Sequence, residues 1–107
     1  MSRYRLSKDA ERDLIEIGRY VAEHASLEIA ERLLAEIIET IIAIAAHAGI
    51  GREEERYGKG MQSFPSQKYK ICYRARKSGI LVLHIFHGAL DQKKAWVQST
   101  GVRKKPV

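Results

Sequence analysis

Apolar residues in this chain recur first at helical and then at strand spacing, and the change falls near residue 50. Arg3 to Leu6 is a short β-prone start. Ser7 then offers its side-chain oxygen to the free amides of a first helical turn, and Asp9 and Glu11 suit the positive helix end. Ala10, Leu14, Ile17 and Val21 repeat at helical spacing with Tyr20 beside them, which predicts an amphipathic helix over Lys8–His24. Ala25 and Ser26 break it, and Ser26 can cap a second helix. There Ala30, Leu33, Leu34, Ile37, Ile38, Ile41, Ile42 and Ala45 make a wide stripe opposite Glu28, Glu31, Glu36 and Glu39. A stripe so wide must be covered by both a sheet and the first helix. Gly49-Ile50-Gly51 is expected to end this helix, with a charged loop from Arg52 to Gly60 behind it.

Strands follow. Met61–Phe64 is one candidate, stopped by Pro65-Ser66. Lys68–Arg76 alternates, with Ile71, Tyr73 and Ala75 on one side and Lys70, Cys72, Arg74 and Arg76 on the other. Ile80–His87 is apolar on both sides, as interior strands are. Lys77-Ser78-Gly79 fits a three-residue hairpin with glycine at its left-handed third position. In that register Arg76 faces Ile80 and Arg74 faces Val82, and Ile71, Tyr73 and Ala75 lie beside Ile85, Leu83 and Leu81 as one apolar face. Lys70, Arg74 and Arg76 then share the opposite face with His84 and Phe86; a two-residue turn would mix the faces. Beyond Asp91, a short helix carrying Ala95, Trp96 and Val97 is expected before the basic end Arg103-Lys104-Lys105. The pattern describes one α+β domain over residues 1–91 and a basic tail over 92–107.

Length and composition narrow the class. A chain of 107 residues makes one domain large enough to fold without staples. Its single cysteine excludes an internal disulfide. The N-terminus has no apolar signal core, and the longest apolar stretch, Ile41–Ala46, is far short of the ~20 residues that cross a bilayer, so cytoplasm is the expected compartment and no membrane partner is expected. The formal charge of +6 is uneven: residues 1–25 are neutral, 26–50 carry −3 and 51–107 carry +9. That asymmetry favours nucleic acid or an acidic protein as partner; plain solubility is the alternative.

Most small-site chemistry fails on spacing. His84 and His87 are three apart on a strand and point to opposite faces, and His24 and His47 sit at helix ends, so neither a metal nor a cofactor is expected. Gly58-Lys59-Gly60 lacks the upstream glycine, the following hydroxyl and the helix of a phosphate loop. Cys72 has basic neighbours able to lower its pKa but no placed base, and reads as a small strand residue. Lys70, Arg74 and Arg76 are different: on alternate strand positions near His84 they form a cationic face for phosphate or carboxylate, or else a solvated outer face.

The order strand, helical hairpin, antiparallel strands, together with particular residues, resembles the RelE/ParE superfamily of bacterial type II toxins. The residues are Leu6-Ser7, Ala10, Asp13-Leu14, Ile17, Tyr20 and Ala30, then Gly51-Arg52, Phe64-Pro65 and Tyr69 to Arg74. The run Ile80 to Asp91, with its His87-Gly88-Ala89-Leu90-Asp91 ending, is closest to the ParE branch. The resemblance implies a helical hairpin packed on a three-stranded antiparallel sheet. It also implies a toxin held in a hetero-oligomer by a cognate antitoxin whose C-terminal segment wraps the helices and sheet. Leu14, Ile17, Tyr20, Leu34 and Ile38 are the candidate antitoxin contacts.

ParE-like members poison DNA gyrase; RelE-like members cleave messenger RNA in the ribosome. The RelE chemistry uses lysines and arginines against phosphorane charge and an aromatic that stacks a base. Residue by residue, its strand arginine falls at Lys70, its two lysines near Met61 and Ser63, its later arginine at Leu90 and its tyrosine near Trp96. Leu90 also replaces the arginine usual in the ParE form. A gyrase-binding toxin without catalysis is therefore the leading expectation, with Lys70, Arg74, Arg76 and Trp96 as target contacts. A ribosome-dependent nuclease is the alternative, with Lys70, Arg74, Arg76, His84 and His87 as its site. A DNA-binding helix-turn-helix ranks last, because its recognition helix would be the acidic, apolar second one.

Overall fold

Each helix begins where a serine caps it. In the computed structural model, which describes residues 3–87, Ser7 Oγ accepts the Ala10 amide at 3.0 Å and opens α1 (Lys8–His24). Ser26 Oγ accepts the Ile29 amide at 3.0 Å and opens α2 (Leu27–Ala46). Such caps contribute about 1 kcal/mol each. α2 closes before the expected glycines, because His47 already departs from helical geometry (φ −141°, ψ 69°) and Ala48–Ile50 is one 3₁₀ turn.

The sheet is broader than the three antiparallel strands expected. Among the described residues it has five, in the order β1-β5-β4-β3-β2: β1 (Arg3–Leu6), β2 (Arg52–Glu53), β3 (Met61–Ser66), β4 (Tyr69–Arg76) and β5 (Gly79–His87). β1 joins parallel to β5, a pairing that needs a long crossover. β2 and a 3₁₀ turn, Glu55–Tyr57, occupy the stretch read as a charged loop, since a two-residue strand has no periodicity to show. β3 continues through Pro65 instead of stopping before it. β2 covers β3 only opposite Gln62 and Ser63, so Pro65 lies on an edge where its missing N–H costs no ladder bond.

The β4–β5 hairpin corrects the predicted register. Its turn has two residues, Lys77-Ser78, and Arg76 faces Gly79, Arg74 faces Leu81, Ala75 faces Ile80 and Tyr73 faces Val82. A bulge then absorbs Leu83, after which Cys72 faces His84 and Ile71 faces Ile85, the latter pair as predicted. The bulge keeps the faces from mixing. Gly79 is not a turn residue either: it lies between Arg3 on β1 and Arg76 on β4, and a Cβ there would run into the Arg3 backbone carbonyl.

Both helices pack on one face of this sheet. Ile37, Ile41, Ile44 and Ala45 of α2 and Ala10 of α1 meet Ile71, Tyr73, Ile80, Val82 and Ile85 in the main core. Tyr73, fully buried, donates its hydroxyl to the Ala48 carbonyl at 2.7 Å and ties the end of α2 to β4. Ile42, expected in the buried stripe, is 52% exposed, while Ile44 is fully buried. The far face is not simply solvated, because Tyr57, Met61, Cys72 and Phe86 form a second, smaller cluster beneath the Glu55–Tyr57 turn.

Candidate functional site

The cationic strand residues differ in their surroundings. Lys70 is drawn inward: its Nζ lies 3.1 Å from Glu54 Oε2, an oxygen that also accepts the Ser63 hydroxyl at 2.8 Å. Arg56 approaches the other carboxylate oxygen at 3.3 Å. Glu54 is itself buried; burial raises its carboxyl, but the Ser63 bond and then Lys70 and Arg56 hold it net below the ordinary glutamate range. Arg74 is exposed and anchored, donating to the Lys59 carbonyl at 3.0 Å. Arg76 is exposed near the hairpin, in line with Arg3 across Gly79.

The two strand histidines have different surroundings. His84 is not on an open cationic face: it is 2% exposed, with Nδ1 3.3 Å from Asp13 Oδ2 and Nε2 3.7 Å from Asp9 Oδ2, both on α1. Asp13 also accepts the Ile85 amide at 2.9 Å, so this carboxylate closes the β5 edge where β1 has ended. His87 meets the Tyr69 ring edge-on, with centroids 5.4 Å apart. Trp96, Leu90 and the tail helix lie outside the described residues.

Cys72 is a fully buried strand residue, and its basic neighbours do not lower its pKa on balance. Burial pushes its thiol up to about 12, and Lys70 offsets this only in part. Alkylation of the folded protein at neutral pH is expected to be slow and limited by unfolding. Labelling as fast as that of a small thiol would contradict this burial.

The hairpin presents the apolar candidates. Leu14, Ile17 and Ile38 are half-buried against the main core, and the half-buried Leu34 fits over Gly18, where a Cβ would lie 2.9 Å from its Cδ1. Tyr20 is 60% exposed and stacks on His24 with ring centroids 4.0 Å apart. Ile15, Leu27 and Ile29 are also exposed. Leu27, Leu34, Ile38 and Ile42 ascend one flank of α2 at helical spacing. Among the described residues no set of three or more His, Cys, Asp or Glu is placed to hold a metal ion, and no helix is long and apolar enough to cross a membrane.

These features define a small α+β domain with an apolar helical surface on one side and a cationic sheet end on the other. The family of ParE toxins of type II toxin–antitoxin systems, parDE, matches residues 4–91, and the chain belongs to it. Toxin ParE1 of Caulobacter vibrioides is 35% identical over 86 residues, covering 78% of this chain and 90% of that protein. A solved chain described as the chromosomal ParDE TA system from P. aeruginosa shares the fold, with a TM-score of 0.70 at 21% identity over 81% of this chain and 96% of that one.

Proposed function

We propose that the protein acts by docking on DNA gyrase without cutting nucleic acid, and that a cognate antitoxin neutralises it by covering the helical hairpin. Membership of the ParE family supports the first part. The observation that carries it is the engagement of the residues a nuclease would need. Lys70 is committed to Glu54, and His84 is buried against Asp13, out of reach of a substrate 2′-hydroxyl. The remaining exposed charge, Arg74 and Arg76, suits binding, with Trp96 as a further target contact. The antitoxin takes the opposite side, using Tyr20 as an exposed anchor and Leu14, Ile17, Leu34 and Ile38 as the floor. Both partners place the hetero-oligomer in the cytoplasm.

The test runs purified toxin against gyrase supercoiling, with translation of a reporter message in parallel. Supercoiling is expected to fail while translation proceeds, and Arg74→Glu with Arg76→Glu is expected to weaken inhibition by about tenfold or more, equal to 1.4 kcal/mol. Blocked translation with codon-linked message cleavage, and supercoiling intact, would overturn the reading in favour of a ribosome-dependent nuclease.

A further inference from the structure

An open groove of about 520 Å³ lies at the hairpin end of the sheet, and four cations line it: Arg3, Arg5, Arg76 and Lys77. All four are exposed, and no acidic side chain is among the lining residues. Elsewhere on the described surface, Arg12, Arg56 and Lys70 each have a carboxylate oxygen within 3.3 Å. The groove follows from the strand register. Tyr4 and Leu6 of β1 turn to the helix-side core, which turns Arg3 and Arg5 to the far face. Gly79 pairs with Arg3 on one side and Arg76 on the other, so its missing side chain leaves a trough between two guanidiniums. Arg3 and Arg5 are about 6.6 Å apart along the strand, and Arg3 and Arg76 about 9.6 Å apart across it.

We propose that this groove binds the phosphate backbone of double-stranded DNA. Clustered like charges repel one another in the free protein, and a polyanion relieves that repulsion while releasing its own counterions. Arginine forks suit phosphate oxygens in bidentate pairs. Single-stranded nucleic acid is disfavoured because its binding relies on aromatic stacking, and no aromatic side chain lines the groove. The choice of DNA among duplex polyanions rests on the gyrase reading, since gyrase acts on duplex DNA. The groove then adds a DNA contact to the protein contact, through Arg3, Arg5 and Lys77, which lie outside the Arg74 and Arg76 pair already assigned to the target.

The experiment titrates the full chain into a short labelled DNA duplex over a range of salt, without gyrase, and separately measures gyrase inhibition. Arg3→Glu with Arg5→Glu is compared with Arg19→Glu plus Arg32→Glu, a charge-matched change on the exposed helix surface. The wild type is expected to bind with a steep salt dependence. The groove variant is expected to lose at least tenfold in affinity, with a salt slope lower by about two, while the helix variant stays within about twofold. Arg3→Gln with Arg5→Gln, checked for native circular dichroism, gives a milder loss and guards against a folding defect. Absence of duplex binding, an equal loss in both reversed variants, or tighter binding of single-stranded RNA or of polyglutamate would overturn the proposal. Duplex binding without gyrase inhibition would overturn the gyrase reading alone, whereas gyrase inhibition without duplex binding would overturn only the groove.

Discussion

Gly79→Ala is expected to lower stability by about 3 kcal/mol or more, a loss far above that of a typical surface substitution. The added Cβ would meet the Arg3 carbonyl oxygen and lie 2.6 Å from its carbon and 2.7 Å from the Arg3 nitrogen. All three are backbone atoms, so no rotamer change relieves the overlap, and β1 must move off β5. That movement breaks the bond from the Arg3 amide to the Ser78 carbonyl and strains the one from the Ser7 amide to the Val82 carbonyl, each 2.9 Å. Tyr4 and Leu6 lose their packing on the core with it. Denaturant unfolding measures the loss, and hydrogen exchange is expected to accelerate at Tyr4, Arg5 and Leu6 before the rest of the sheet. Gly49→Ala is the control, because nothing lies within 4 Å of a Cβ there, and it is expected to change stability by less than about 0.5 kcal/mol. Equal midpoints for the two variants would refute the wedged placement of Gly79.

Glu54→Ala is expected to cost about 2–3 kcal/mol. Removing one partner of a buried ion pair costs about 3–5 kcal/mol, and the lower figure applies because Lys70 keeps 17% exposure and Arg56 keeps 54%. The variant removes the carboxylate to which Ser63, Lys70 and Arg56 are all oriented. Glu54→Gln separates charge from shape. The folded-state pKa of Glu54 lies below its ordinary value of 4.5, so its contribution is fully present above that value and is lost as pH falls through the lowered folded-state pKa. The stability gap between wild type and Glu54→Gln is therefore expected to be wide at neutral pH and to narrow below pH 4.5. A gap that stays constant into acid would show that the carboxylate charge contributes nothing.

Local chemistry carried the helices: Ser7 and Ser26 sit at the caps expected of them, and the interval Lys8–His24 matches because capping and periodicity point to the same boundaries. The strands were legible in kind and less so in register. The bulge at Leu83 changes the pairing of four residues of β4 and leaves no mark on an apolar run in which every residue suits a strand interior. β2 is too short for a pattern, and Pro65 is readable as an edge residue only once β2 is seen to stop short of it. The candidate site was legible as charge and not as pairing. Nothing local ties Lys70 to Glu54 sixteen positions away, or His84 to Asp13 seventy-one positions away. Arg3 and Arg5 went unnoticed as partners of Arg76 because only the parallel pairing of β1 with β5 brings them there.

The borders of the sheet bear on how the free toxin keeps from polymerising. An exposed strand edge is a template on which a second copy adds its own strand. Here one border is the four-residue β1, whose outward arginines would sit beside their own counterparts in any self-pairing. Past β1, the Ile85 amide is already taken by the Asp13 carboxylate, so that stretch of β5 offers an incoming strand one donor fewer. The other border is the two-residue β2, followed by Pro65, which has no amide proton to give. In the free protein these blunted edges favour a dispersed molecule over cross-β assembly.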